Sequence, residues 1–174
     1  MNDDMYAWKK FFLIALAGCI PLFIIFFTYQ TSPNNEIFKS FIDITKNANS
    51  NISSKNILLS KPLGMYTRLA IPLAIYFVLK YSHGIKLKEN AITSQFVLTK
   101  FIPFTLISII YVYFMGFYSL DVTTGNRFLK LISSNDYLLL SYYIVSFVGV
   151  YLFTMLPLLT LKKMFELIKN ANDK

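Results

Sequence analysis

Hydrophobic residues lie in long unbroken blocks along this chain, unlike the alternating pattern of a half-buried strand. The runs 11–29, 101–120 and 137–161 hold nineteen, twenty and twenty-five residues without a charge. A helix of roughly 20 apolar residues crosses the ~30 Å hydrocarbon core of a bilayer. Because lipid offers no partner to backbone N–H and C=O groups, each run predicts a membrane-spanning helix.

A second span is expected between the first two of these runs, but it is shorter and contains a charge. Only eleven residues separate Arg68 from Lys80, about 17 Å of helix. A span over 63–80 is long enough, but it places Arg68 below the membrane surface. Two interpretations stay open: the side chain reaches back to the nearer interface, or it pairs with Asp121 or Asp136.

These four runs predict an all-α membrane protein in which four transmembrane helices form a bundle. We expect one membrane domain over residues 1–174, with both termini on the same side. The predicted spans are about 11–29, 63–80, 101–120 and 137–161. The predicted outer loops are 30–62 and 121–136, and the predicted inner loop is 81–100.

The charge pattern favours an orientation with both termini in the cytoplasm. That side would hold ten of the 17 Lys and Arg residues, and cytoplasmic segments of membrane proteins are enriched in these cations. The net charge of +8 suits a protein held against anionic lipid. Because the basic residues do not form one soluble patch, nucleic acid is not an expected partner.

The first outer loop divides into two parts of different character. Residues 36–46, EIFKSFIDITK, predict a short amphipathic helix that Asn34 or Asn35 could cap. This helix either meets an incoming partner or simply shelters its apolar face on the membrane. Residues 47–56, NANSNISSKN, have the composition of a flexible linker.

Tyrosines inside the predicted spans need hydrogen-bond partners away from water. With Arg68, the tyrosines Tyr111, Tyr142 and Tyr143 form a candidate intramembrane polar site. Hydroxyl groups on neighbouring helices could bond to them, either to stitch this bundle together or to meet another helix. The candidate partners are Thr105, Ser108, Ser141, Ser146 and Thr154.

Several functional classes lack the residues that they require. No acidic residue lies in any predicted span, which argues against a proton-coupled exporter. The sequence has no metal-ligand cluster, phosphate-binding loop or nucleophile beside a base, so no catalytic residue, cofactor or small-molecule substrate is expected. The chain is 55% hydrophobic, and its composition indicates a small membrane protein that acts by contact.

The polar stretch DVTTGNRFLKLISSND, residues 121–136, supplies a more specific signal. It resembles the second outer loop of the immunity proteins of pore-forming colicins, of the colicin A type. The similarity lies in Leu120, Thr123-Thr124-Gly125, Arg127, Leu129-Lys130-Leu131 and Asn135-Asp136 before the apolar run 137–140. Weaker echoes are Gly18-Cys19-Ile20-Pro21-Leu22 and the ending 158–162.

The resemblance implies a function by interception in the bacterial inner membrane. Such proteins bind the pore-forming domain of the cognate colicin and block channel opening, without a cofactor. It implies that the loop residues bind the toxin or structure the loop. These residues are Thr123, Thr124, Gly125, Arg127, Lys130, Asn135 and Asp136. By residue type, Asn135 or Asp136 would also cap the last helix, with the acid near its positive end. A small transporter, or an accessory subunit of a membrane complex, is the alternative.

Overall fold

The computed structural model describes residues 3–85 and 96–172, and within this part the chain is built from helices. Four of the helical stretches are long and apolar enough to cross a membrane, as the sequence predicts. The α-helices are α1 (Asp3–Thr31), α2 (Glu36–Ile44), α3 (Ile57–Tyr66), α4 (Ala70–Tyr81), α5 (Ile102–Gly116), α6 (Arg127–Ser133) and α7 (Asp136–Asn172).

Helices α3 and α4 together form the second spanning stretch, which begins six residues before the predicted span. Asn56 caps its start, since the Asn56 side chain accepts a hydrogen bond from the N–H of Leu59 at 3.2 Å. A 3-10 turn, Thr67–Leu69, joins the two helices. Pro72 follows in the first turn of α4, where it has no N–H to bond to the carbonyl of Arg68.

The first connection is consequently shorter than the predicted outer loop 30–62, whereas the second is longer than the predicted loop 121–136 because α5 ends at Gly116. The first runs over 32–56 and contains α2, and the second runs over 117–135 and contains α6. A π-helical turn, Val97–Phe101, precedes α5, so the end of the predicted inner loop is helical. Residues 86–95 of that loop lie outside the described part of the chain.

Helix α7 is the centre of the bundle and packs against α1, α4 and α5. Its Phe147 and Tyr151 are fully buried; the first stacks on Tyr66 and the second on Phe11. Gly18 of α1 permits this packing, because a Cβ there would lie 2.6 Å from the ring of Phe147. Helix α5 lies at the edge, with most of its surface uncovered by the rest of the chain.

The bundle has two distinct ends. At the end that we call the terminal end, Tyr6 of α1 contacts Tyr81 of α4, and Lys162 of α7 lies 3.3 Å from the carbonyl oxygen of Val78. At the opposite end, which we call the loop end, the two connections 32–56 and 117–135 meet. The start of α1 and the last turns of α7 therefore lie at the same end of the bundle. Which end faces the cytoplasm stays a prediction.

Candidate functional site

The second connection is folded by its own polar residues, beginning with Asp121. The Asp121 carboxylate accepts hydrogen bonds from the N–H and the hydroxyl of Thr123, at 2.9 and 2.6 Å. The Thr124 hydroxyl donates to the backbone carbonyl of Asp121 at 2.9 Å. Thr123 and Thr124, two of the predicted site residues, thus hold the 3-10 turn Val122–Thr124 in shape.

The turn leads directly into helix α6 through Gly125 and Asn126. The Asn126 side chain caps α6 by accepting from the N–H of Leu129 at 3.0 Å. A Cβ on Gly125 would lie 2.5 Å from the Leu129 side chain, so the close approach of turn and helix requires glycine there. The predicted Gly125 is therefore a residue that structures the loop.

Helix α6 presents a mixed basic and apolar face away from the bundle. Ile132 and Ser133 point inward and are buried. Phe128 and Leu131 are 67% and 56% exposed. The predicted site residues Arg127 and Lys130 are exposed beside them, and neither forms an ion pair with another described residue. This face is therefore an exposed surface of the second connection that carries both positive charge and apolar side chains.

The first connection is bonded to the second by a short parallel bridge. The N–H of Ile52 donates to the carbonyl of Leu120 at 2.9 Å, and the N–H of Val122 donates back to Ile52 at 2.8 Å. Ser54 donates its N–H to the Asp121 carboxylate at 3.3 Å, and its hydroxyl also bonds there. Asp121 therefore joins the two connections.

These contacts also affect the charge of Asp121. Its partial burial raises the pKa of the carboxyl group, but the hydrogen bonds from Ser54 and Thr123 outweigh burial and hold the pKa below its ordinary value. The carboxylate is consequently the form that the two connections stabilise.

Residues 50–53 lie inside the protein, which shows that the prediction of a flexible linker over 47–56 was wrong for this part. Ser50, Asn51 and Ser53 are at most 2% exposed. The carbonyl of Asn51 accepts a 2.7 Å hydrogen bond from the hydroxyl of Tyr143, and the Asn51 amide nitrogen lies 3.4 Å from the hydroxyl oxygen of Tyr142. A polar composition indicated exposure, but Asn51 and Ser53 are instead bonded to partners in the protein. The Ser50 hydroxyl and the Asn51 side-chain oxygen are buried without a protein partner among the described residues.

Helix α3 has a glycine where this buried segment passes. A Cβ on Gly64 would lie 2.4 Å from the carbonyl oxygen of Asn51, so a larger residue would push the segment away. One turn before it, the ammonium of Lys61 bonds to the carbonyl of Ala48, and Lys61 is only 8% exposed. The face of α3 between these two residues is therefore shaped to hold the first connection.

The predicted residues Asn135 and Asp136 start the last helix in different ways. Asn135 is the cap, because its side chain accepts from the N–H groups of Tyr137 and Leu138 at 2.9 and 3.2 Å. Asp136 instead accepts from the side-chain amides of Asn56 at 2.7 Å and Gln30 at 3.3 Å. One carboxylate thus links the ends of α1, α3 and α7.

Arg68 is bonded to helix α5 rather than to an acid. Its Nε donates to the carbonyl of Gly116 at 2.7 Å, and its guanidinium lies 5.3 Å from the ring centre of Phe117. Asp121 and Asp136 are occupied by uncharged donors, so the ion pair that we considered for Arg68 is not formed. The carbonyls at the C-terminal end of α5 carry partial negative charge, which suits a cation.

The expected hydroxyl partners of the tyrosines are also different from those observed. Ser108, Ser141 and Ser146 each donate to the backbone carbonyl four residues earlier in their own helix. Thr105 and Thr154 have no protein partner for their buried hydroxyls among the described residues. The hydroxyls of Tyr142 and Tyr143 instead lie next to Asn51.

Tyr111 lies apart from this site. Its ring packs on Phe153 at 4.6 Å between ring centres, and its hydroxyl fills the space beside Gly149. The candidate intramembrane set therefore has three different surroundings: Arg68 contacts the C-terminal end of α5, Tyr111 of α5 packs against α7, and Tyr142 with Tyr143 lies beneath the first connection.

The chain is similar to known proteins along most of its length. Residues 34–172 match the family model described as Colicin immunity protein. The chain belongs to the colicin immunity protein family. It is also 29% identical over 169 residues to the Colicin-A immunity protein of Citrobacter freundii, covering 97% of this chain and 94% of that protein. No solved structure matches the chain.

The family match includes the second connection, all but the first two residues of the first connection, and the helices between them. Most of the bonded loop end therefore belongs to the region shared with the family. The resemblance to colicin A-type immunity proteins that residues 121–136 suggested is confirmed by these comparisons. No sequence pattern identified Asn51, Ser54 and Asn56, which hold the two connections together. Their partners lie 67 to 92 residues away in the chain, and no local pattern signals such distant contacts.

Proposed function

We propose that this chain protects a bacteriocin-producing cell by binding the pore-forming domain of its cognate colicin in the inner membrane and blocking channel opening. Membership of the colicin immunity family is the observation that supports this most directly. The similarity to a Colicin-A immunity protein over nearly the whole chain supports the choice of a pore-forming toxin. The four apolar helices suit a protein that meets its toxin inside a bilayer.

In this proposal the loop end faces the periplasm and both termini are cytoplasmic. The excess of Lys and Arg in the segments at the terminal end supports that orientation. A toxin that approaches from the periplasm then meets the two connections first. The exposed face of α6, with Arg127, Phe128, Lys130 and Leu131, is the surface that we assign to this first contact.

The bonds between the two connections give this surface a physical advantage. Lipid tails are as apolar as a helix, so a partner in the membrane must be selected by packing, hydrogen bonds and charge. A surface already ordered before binding loses less conformational entropy when the toxin arrives. The bridge of Ile52 to residues 120–122 and the capped ends of α6 supply that order.

Survival of challenged cells tests the proposal. The chain is produced in sensitive bacteria, which are exposed to a panel of pore-forming colicins that includes colicin A, and potassium efflux and killing are recorded. A colicin that kills by a nuclease domain is the control. We expect protection against one or a few pore-forming toxins and none against the nuclease toxin.

Two outcomes would contradict the proposal. Killing by the whole pore-forming panel, in cells where membrane insertion of the chain is verified, would favour the transporter or accessory-subunit alternative. Protection that extends equally to the nuclease colicin would indicate that toxin uptake is blocked, not the pore. Membership of the colicin immunity family favours an immunity role over the transporter and the accessory-subunit alternatives.

A further inference from the structure

Three tyrosines and two lysines converge at the terminal end, far from the two connections. Tyr6 and Lys10 come from the start of α1, and Tyr76, Lys80 and Tyr81 come from the end of α4. The rings of Tyr6 and Tyr81 lie 6.5 Å apart, and those of Tyr76 and Tyr81 lie 6.3 Å apart. We call these five residues the tyrosine-lysine cluster.

The two ammonium groups are held against the aromatic rings. Lys10 Nζ lies 5.3 Å from the ring centre of Tyr6. Lys80 Nζ lies 5.3 and 5.7 Å from the ring centres of Tyr76 and Tyr81, and it donates a 2.8 Å hydrogen bond to the Tyr76 hydroxyl oxygen. Cation–π attraction and this hydrogen bond restrict two flexible side chains to one place.

The cluster has positive charge that the described residues do not neutralise. Neither Lys10 nor Lys80 forms an ion pair with a described residue. Glu166, whose side chain is described at this end, is instead 2.7 Å from Lys163 and 3.8 Å from His83. Lys80, Tyr6 and Tyr76 are also substantially exposed, so an external anion can reach them.

The chemistry of these groups fits a phosphodiester at the membrane surface. An ammonium group offers three donors, and the Tyr76 hydroxyl, which accepts from Lys80, keeps its own proton to donate. Tyrosine and lysine are also the side chains that lie at the level of lipid headgroups. The cluster stands at the end of two apolar helices, where a headgroup phosphate of the adjoining leaflet would be.

We propose that Tyr6, Lys10, Tyr76, Lys80 and Tyr81 bind the phosphate of an anionic phospholipid such as phosphatidylglycerol. The site is independent of toxin recognition, because it lies at the opposite end of the bundle from the connections. Its effect is to fix one end of α1 and α4 at the membrane surface, which holds the bundle at a defined depth.

Thermal unfolding of the purified full chain in phosphatidylcholine nanodiscs tests this site. Added phosphatidylglycerol should raise the unfolding midpoint, and the titration gives an apparent affinity. Loss of one ammonium contact to the phosphate should weaken the affinity roughly fivefold, so Lys10→Gln alone should have about that effect and Lys10→Gln with Lys80→Gln about 25-fold. Lys9→Gln is the matched control, since it removes an exposed lysine next to Lys10 but outside the cluster.

The proposal is overturned if Lys9→Gln weakens the affinity as much as Lys10→Gln, because binding would then follow overall charge alone. It is also overturned if inorganic phosphate at matched ionic strength produces the same stabilisation, or if phosphatidylglycerol produces none. Native mass spectrometry of the unaltered chain gives a second measurement that needs no variant. A retained phosphatidylglycerol adduct, absent with phosphatidylcholine, is the expected result, and equal retention of both lipids would contradict the site.

Discussion

The hydroxyl of Tyr143 donates a 2.7 Å hydrogen bond to the backbone carbonyl of Asn51, 92 residues earlier in the chain. Tyr143 is 1% exposed and Asn51 is 2% exposed, so this bond fixes the first connection inside the bundle. Its removal leaves a carbonyl group without its partner in a buried place, which costs about 1–3 kcal/mol.

Tyr143→Phe should therefore lower the unfolding free energy by about that amount, and the thermal midpoint of the detergent-solubilised protein should fall. Tyr137→Phe is the control, because Tyr137 is 67% exposed at the start of the same helix. Equal midpoints for Tyr143→Phe and the unaltered protein would show that the buried bond does not stabilise the fold.

Gly64 tests the fit between helix α3 and the first connection. An added Cβ would lie 2.4 Å from the carbonyl oxygen of Asn51, so Gly64→Ala should displace the segment and cost about 1–3 kcal/mol. Gly116→Ala is a matched control, since a Cβ there meets nothing within 4 Å. Thermal midpoints compare the two, and a Gly64→Ala protein as stable as Gly116→Ala would contradict the close packing.

Asn56 has two roles that one substitution removes. Asn56→Ala deletes the cap of α3 and the 2.7 Å bond to Asp136, which should cost about 1–2 kcal/mol. Protease digestion in membranes should then cleave the first connection faster. Asn49→Ala, at an exposed asparagine of the same connection, should leave the digestion rate unchanged.

The Asp121 contacts predict a dependence of stability on pH. Because the folded pKa lies below the ordinary value near 3.9, the stabilisation is complete above that value and is lost as the pH falls through the folded pKa. This loss of stability is measured by chemical unfolding at pH values from 6 down to 2, roughly two units on either side of the unfolded pKa. Asp121→Asn should flatten this slope, whereas Asp43→Asn, at an exposed position in α2, should preserve it.

The exposed face of α6 predicts a loss of protection without a loss of fold. Arg127→Ala with Lys130→Ala should reduce protection against the cognate toxin about tenfold, if the pair contributes ~1.4 kcal/mol to binding. The membrane level and thermal midpoint should stay as in the unaltered chain. Lys39→Ala with Lys46→Ala is the control, because it removes the same charge from exposed positions in the first connection. Equal protection by both pairs would exclude α6 as the contact surface.

Much of the helical framework follows from the sequence alone. Runs such as 137–161 are long enough to cross a bilayer, and only a helix pairs its own backbone groups there. Helix capping within 121–136 was also predictable, since Asn135 caps the helix that begins at the next residue. The limits of the second spanning stretch were less accurate, because hydropathy reports apolar content while the cap at Asn56 determines where the helix begins.

Tertiary structure alone decided how the polar residues are used. NANSNISSKN has the composition of a linker, yet Asn51 is buried because Tyr143 lies opposite it and Gly64 leaves room. Arg68 could have paired with an acid, but the end of α5 is within its reach and supplies the Gly116 carbonyl. The sequence thus determined which segments form membrane helices through local hydrophobicity, while contacts between residues distant in the chain determined which polar groups are buried, paired or free to meet a partner.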